Sequence, residues 1–368
     1  MRVEQLWVSD FRNYRAAHLV PAPSGLTVVV GANGQGKSNL LEAVSWLASL
    51  QSYRGAPNEA LVRLGAEQAA LRAEVVSAGR EVLIEALVPS SGRVRVQVNR
   101  QPLRRSRDLL GALRVSLFSP DDLDLVKGSP AGRRRFLDEG LVSLHPGNDL
   151  LRSDLERVLR QRGVLLRQAA GRATPDVART LDVWDHQLSR LGTALAERRQ
   201  DLVGRLAPRV GEAYRGLAGG PTPVLAYRKS WSGALSEALA GARDDDLRRG
   251  VTTIGPHRDD LDLSLGGMPA RTHASQGEQR SLALALRLGV HALVADAVGE
   301  EPVLLLDDVF SELDQDRSAA LLDRLPGGQT ILTTTGSLPP GAVPAAGVRV
   351  REGSLGDLVK GEMEAVAG

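Results

Sequence analysis

The chain has 368 residues, 42% of them hydrophobic, enough to bury the core of two or three domains or of one large α/β domain with an insertion. Cysteine is absent, which excludes disulfides and thiolate-held zinc and suits a reducing, cytoplasmic compartment. No run of about 18 uncharged apolar residues occurs, so no membrane span is expected, and residues 1–10 carry Glu4 where a signal peptide would be apolar.

The formal charge of +2 hides an uneven distribution. Between positions 93 and 172 seventeen basic residues face nine acids, a surplus of eight, so the rest of the chain is acidic on balance. Lysine occurs only at Lys37, Lys127, Lys229 and Lys360. GC-rich coding also produces an arginine excess, but it does not explain where the arginines fall. A local surplus of this kind is the footprint of a polyanion partner, the plainer alternative being a solvated basic face.

In chain order, 26–30 is a short apolar run ending at glycine, the pattern of a buried strand. Segments 70–76, 81–88 and 93–98 are short, rich in valine and leucine and separated by Ser/Gly turns, and 113–118 ends in a Ser-Pro-Asp-Asp loop signal. Together they predict an antiparallel meander. Leu151, Leu155, Val158, Leu159, Leu165 and Leu166 mark one amphipathic helix, and the seam Trp184, Leu188, Leu191, Leu195, Leu202, Leu206 and Val210 marks a second. The break at 171–175, with Gly171 and Pro175, predicts that the two fold back as an antiparallel hairpin, or else form an ordinary helical subdomain. The strand pattern resumes at 260–265, which makes the helices an insertion. In the last third, 303–307 and 330–335 read as buried parallel strands flanking a helix at 314–325. The expected division is therefore 1–125 with 250–368 as one α/β unit, and 126–249 as an inserted helical arm.

Gly31, Ala32, Asn33, Gly34, Gln35, Gly36, Lys37 and Ser38 match G-x-x-x-x-G-K-[ST] in full, with an apolar strand before and a helical pattern after. Glycines let the loop curl so that consecutive N–H groups face the phosphates of ATP, and the following helix adds its positive end. Lys37 is expected at the β/γ-phosphates and the Ser38 hydroxyl on Mg²⁺. Asp307 ends a buried strand, where a carboxylate is costly without a cation, so it is expected to share the Mg²⁺ with Ser38. Asp308 follows it and is expected to orient or deprotonate the attacking water, so Asp308 and Lys37 are the catalytic candidates. Ser275, Gln276, Gly277, Glu278 and Gln279 open an apolar helix. Ser275 and Glu278 fit a capping box, which by itself marks only a helix start. Gly277 is a poor helix former, and it makes sense where a phosphate must approach closely. A second phosphate-facing helix start beside one complete cradle suggests a site shared between two subunits.

The order of these motifs is that of ABC-type ATPases, and the details resemble the RecF family. Phe11-Arg-Asn-Tyr14, the phosphate loop with Asn39-Leu-Leu-Glu42, Ser52-Tyr-Arg54, Phe118-Ser-Pro-Asp-Asp-Leu123, Gly132-Arg-Arg-Arg-Phe-Leu-Asp138, Thr253-Ile-Gly-Pro-His-Arg-Asp-Asp-Leu261, Ser275-Gln-Gly-Glu-Gln-Arg280 and Leu306-Asp-Asp-Val-Phe-Ser-Glu-Leu-Asp314 carry the resemblance. It implies an α/β P-loop NTPase head of ABC/SMC type (lobe I) with an antiparallel meander, and a helical arm (lobe II). It implies an ATP-dependent homodimer, each nucleotide lying between the phosphate loop of one copy and Ser275 to Gln279 of the other. It implies DNA binding at gaps or single-strand/duplex junctions, action with RecR and RecO to load RecA, and support of replication and the SOS response. Asp314 then belongs to the D-loop 311–314, residues 118–122 fall near a Q-loop, and Arg12 and Asn13 are candidate nucleotide contacts.

Two departures from the wider ABC pattern stand out: Asp308 replaces a glutamate, and Thr333, Thr334 and Thr335 lie where a switch histidine is expected. Both suit a weak ATPase that works as a switch, holding ATP for a while rather than driving a rapid motor; stimulation by DNA is expected alongside the resemblance. Arg133, Arg134, Arg135, Arg104, Arg105 and Arg107 are the candidate DNA contacts. His257 and Arg258 beside Asp259 and Asp260 read as structural rather than metal-binding. The competing functions are a transporter ATPase subunit, disfavoured by the absent histidine, the Ser-Gln-Gly signature and the arm; an ATPase-linked nuclease, for whose acidic cluster 335–368 is too short; and a structural protein with a dead site, disfavoured by intact Lys37, Ser38 and Asp307.

Overall fold

A computed structural model describes residues 1–358 together with 362, 363 and 366. The chain divides into two compact units, the first of residues 1–123, 212–220 and 275–368, the second of 124–211 and 221–274.

The first unit contains two six-stranded sheets. One runs in the order Ser354–Asp357, Pro344–Arg351, Gly25–Val30, Gln329–Thr334, Val303–Asp307, Val115–Phe118, and every neighbouring pair is parallel except the terminal hairpin. Every residue of Val303–Asp307 and Gln329–Thr334 is buried, which is why both read as continuous apolar runs rather than alternating ones. The other sheet is antiparallel: Tyr14–Leu19, Arg2–Phe11, Gln68–Ser77, Arg80–Pro89, Arg95–Val98, Gln101–Pro102. Here burial alternates, with Leu71, Ala73 and Val75 inward and Arg72 and Glu74 outward, as one solvated face requires. The segment around 113–118, read with this meander, pairs instead alongside Val303–Asp307 in the parallel sheet. It is covered to some degree at every position, as a parallel strand demands.

Helix Lys37–Ser49 lies between the two sheets of this unit. It is apolar almost all round because it is buried almost all round: Leu40, Leu41, Ala43, Val44, Trp46 and Leu47 are each at most 1% exposed. Truncating a buried indole such as Trp46 costs about 3–5 kcal/mol in comparable cores. Gln329 ties the layers with its buried amide, donating to Val3 O (2.8 Å) and Ala22 O (2.7 Å) and accepting from Val3 N (2.8 Å). Helix Gln276–Val298 is long and apolar enough to pass for a membrane span by composition, yet 56% of its apolar window is buried within the protein.

The second unit holds helices Pro130–Leu144, Asn148–Ala169 and Leu235–Arg249, most of the 44-residue helix Pro175–Ala218, and a three-stranded antiparallel sheet. The expected antiparallel hairpin is present: Asn148 meets Arg198, Arg162 meets Asp185, and Leu166 and Ala169 cluster with Leu181. The expected return to the head at 260 is not. Asp260–Leu265 pairs with Val224–Arg228 and Met268–Pro269, and buries Leu261, Leu263 and Leu265 in a sheet that packs on helix Pro130–Leu144. Residues 250–274 therefore belong with the helices, and 212–220 with the first unit. A strand's period shows that it has an apolar face, not which sheet it will join.

The arginines of this unit are largely consumed internally. Arg133, expected on DNA, is 6% exposed and grips Asp260 with two bonds (2.8 and 3.0 Å) while donating to Gly128 O (3.0 Å). Arg134 donates to Asp259 O (2.7 Å), and Arg135 pairs with Glu139 one turn on. Arg133 and Arg134 thus fasten the 253–261 motif rather than standing free for phosphate, while Arg135 is exposed and pairs along its own helix. Arg162 is fully buried between Asp185 and Asp246, 2.7 Å from each. His257 is half-buried, donates from Nε2 to Thr252 O (3.0 Å), and is held down to a pKa of about 4 chiefly by the desolvation of its ring. No cluster of three or more metal-ligating side chains occurs among the described residues.

Candidate nucleotide site

The phosphate loop leaves strand Gly25–Val30 at the carboxyl edge of the parallel sheet, where Val303–Asp307 and Gln329–Thr334 also end. Open α/β sheets bind ligands at that edge. Gly36 adopts φ +115°, and a Cβ there would lie 2.6 Å from the Asn13 amide, so only glycine fits. The loop's outward carbonyls are held from two sides. Asn13 Nδ2 donates to Gln35 O (2.8 Å) and Tyr14 OH to Gly36 O (2.9 Å). From the far edge, the turn of the C-terminal hairpin brings Glu352 N to Gln35 Oε1 (2.6 Å) and Gly353 N to Gln35 O (3.3 Å). Holding the carbonyls outward leaves the N–H groups facing the place a phosphate would take.

Lys37 is 6% exposed and, without phosphate, donates to Gly31 O (2.8 Å) and Ala32 O (3.0 Å). Burial lowers its pKa, opposed by Asp308 and Asp307. Ser38 Oγ donates to Asp307 Oδ1 at 2.7 Å, so both expected metal ligands are adjacent. Asp307 receives two further hydroxyls, Thr333 on Oδ1 (2.7 Å) and Tyr53 on Oδ2 (2.8 Å). Thr333 also accepts from Asp308 N (3.0 Å), so the residue at the expected histidine position braces both acids. Asp308 sits in the left-handed region (φ 48°), which aspartate tolerates. Its Oδ1 is buried without a hydrogen-bond partner, and burial raises its pKa, the direction that makes it a better proton acceptor. The donor set fits Mg²⁺, which prefers hard oxygens and is held by one or two carboxylates together with substrate phosphates. An unpaired buried carboxylate oxygen beside them is the signature of a site finished by its ligand.

This assembly has known counterparts. The family described as RecF/RecN/SMC N terminal domain matches residues 2–335. A protein of Streptomyces avermitilis named DNA replication and repair protein RecF is 44% identical over 96% of this chain and 99% of its own. One of the same name from Acidothermus cellulolyticus is 44% identical over 91% and 94%. The chain belongs to the RecF family. Two solved structures described as the recombination mediator protein RecF of the RecFOR pathway match at TM-score 0.89. One, RecF-ATP, is 28% identical and covers 97% of both chains; the other, RecF-ATPrS, is 27% identical over 97% of this chain and 98% of its own. An Smc head from Pyrococcus furiosus, 17% identical over 98% and 97% with TM-score 0.56, shares the fold.

The RecF-type signature is built as a capped helix start. Glu278 N donates to Ser275 Oγ (3.3 Å) and Ser275 N to Glu278 Oε2 (2.7 Å), a complete capping box that leaves Ser275 and Gln276 exposed. Gly277 has a reason the sequence did not show: a Cβ there would lie 2.6 Å from the Arg317 guanidinium, which rests over it and pairs with Asp314. Asp314 also caps its own helix from Arg317 N (2.9 Å). Arg280 donates to Glu312 O (2.9 Å), so signature and D-loop form one block. Asp122 accepts from Arg287 (2.6 Å) and Ser119 N (2.9 Å), tying the Q-loop-like segment to the signature helix.

Of the residues expected to touch nucleotide, Arg12 grips buried Glu42 with two 2.8 Å bonds. Asn13 touches the loop from behind. Arg104 and Arg105 are exposed, Arg107 is half-buried. The roles of Tyr53, Glu42 and the 352–353 turn do not show in the sequence, since each acts through a contact 10 or more positions away.

Proposed function

We propose that this protein is an ATP-controlled, DNA-binding mediator of recombinational repair that closes into a homodimer on ATP and reopens after slow hydrolysis. The observation that carries this is the pairing, within one unit, of an exposed phosphate loop lined by Lys37, Ser38, Asp307 and Asp308 with an exposed, fully capped Ser275 helix start. Lys37 and the loop N–H groups bind the phosphates, and Ser38 with Asp307 would hold Mg²⁺, whose charge offsets that of the phosphates. Asp308 orients the attacking water. Ser275 to Gln279 of a second copy covers the γ-phosphate, and the Arg317–Asp314 block couples that cover to the dimer seam.

DNA contact is assigned to the edge of the antiparallel sheet. Arg93, Arg100, Arg104 and Arg105 are exposed there and take part in no ion pair among the described residues. Gaps or single-strand/duplex junctions are the preferred substrate and RecO, RecR and RecA the partners by family membership; the RecFOR description of the solved relatives supports RecO and RecR. Light-scattering mass with ATP and with ADP tests the core of the reading. ATP doubles the mass and ADP does not; Ser275→Arg binds ATP yet stays monomeric, and Asp308→Asn forms a longer-lived dimer. Normal dimerisation of Ser275→Arg removes the shared site.

A further inference from the structure

Resting on the reading that Ser38 and Asp307 hold Mg²⁺, we infer that Tyr53 is a positioning residue for that metal site, and that the Ser52-Tyr-Arg54 turn exists to deliver its hydroxyl to Asp307. Asp307 takes three hydroxyl protons: Ser38 and Thr333 on Oδ1, Tyr53 alone on Oδ2. Because Ser38 donates its proton to the carboxylate, the lone pairs of its oxygen remain for a cation. The orientation of the carboxylate then decides whether Ser38 and Asp307 face the same point. Tyr53 is the only donor to the outer oxygen among the described residues, and its hydroxyl also lies 3.3 Å from Ser38 O, so it references the acid to the backbone of the other ligand.

Tyr53 is itself held in place. Ser52 Oγ donates to Glu42 Oε1 (2.5 Å) and accepts from Arg54 N and Ala56 N (both 3.2 Å), which shapes the turn around the tyrosine. The Arg54 guanidinium lies 5.3 Å from the Tyr53 ring centroid and bonds Asn39 Oδ1 (2.9 Å). Glu42 is 0% exposed and gripped by Arg12. Contacts thus run without a gap from Arg12 through Glu42, Ser52 and Tyr53 to Asp307. This gives Arg12 a task at the site through Glu42, and explains why three separate motifs meet on one helix.

Partners that orient metal-binding groups typically change metal affinity 10–100-fold when removed. Tyr53→Phe keeps the ring and its packing and deletes only the donor. The test is the affinity of a fluorescent ATP analogue measured with EDTA and across a Mg²⁺ series, for wild type and Tyr53→Phe, with thermal midpoints alongside. The expected result is unchanged affinity in EDTA and a Mg²⁺ half-point raised about 10-fold or more. An unshifted half-point, or an equal loss with and without Mg²⁺, overturns the assignment. If wild-type affinity ignores Mg²⁺, the metal reading of Ser38 and Asp307 fails instead.

Discussion

Two arginine-rich segments of this chain look alike in sequence and behave oppositely in the fold. Arg133, Arg134 and Arg135 lie on helix Pro130–Leu144, and all three are bound to acids or carbonyls of their own unit. Arg93, Arg100, Arg104 and Arg105 lie in the turns and loops flanking the short edge strands and are exposed. Clustering of charge therefore does not locate a polyanion surface; what matters is whether acids from elsewhere in the chain arrive to neutralise it. Asp260, more than 120 positions from Arg133, does so for one segment only.

The sharpest way to break this contrast is Arg133→Ala. Removing Arg133 takes away both short bonds from the buried Asp260 and leaves it only Arg228 at 3.5 Å and its own neighbour's N–H, and costs about 3 kcal/mol of unfolding free energy in denaturant titration, the low end for a broken buried pair. A loss under 1 kcal/mol would return Arg133 to the surface. Next in size is acid. His257 in the second unit and His291 in the first are both held near a pKa of about 4 by burial, below the ordinary value of 6.5. Above pH 6.5 both stay neutral folded or unfolded and cost nothing. Between 6.5 and 4 only the unfolded chain takes up these protons, so stability falls with pH, by on the order of 1–2 kcal/mol per histidine at pH 5. Urea midpoints at pH 7.5 and 5 check this, and His291→Gln should flatten part of the difference. Smallest is Arg135→Ala, whose exposed pair one turn along the helix is worth about 0.3–0.5 kcal/mol. An effect as large as that of Arg133 would erase the distinction between them.

Much of the head was legible because its signals are local. The phosphate loop, the acid at the end of Val303–Asp307, the Ser275–Glu278 box and the helical hairpin each follow from residues a few positions apart. What was missed depends on distant partners. Thr333 read as a substitute for a histidine, but its hydroxyl bridges Asp307 and Asp308. Gly277 read as room for phosphate, but Arg317 occupies that room. Asp260–Leu265 reads as a strand of the head but belongs with the helical unit, since alternation specifies a face and not a neighbour. The C-terminal hairpin, with no motif of its own, turns out to buttress the phosphate loop through Gln35.

The proposed function requires ATP to control phosphate-driven DNA binding through the open arginine edge. Duplex affinity across a salt series, with ATP and with ADP, tests it on wild type and on a variant with Arg93, Arg100, Arg104 and Arg105 all changed to alanine. The account predicts tighter binding with ATP, and a log–log salt slope that shrinks by about 0.9 for each phosphate contact the variant loses. Equal affinity in ATP and ADP, or a slope unchanged in the variant, would contradict it.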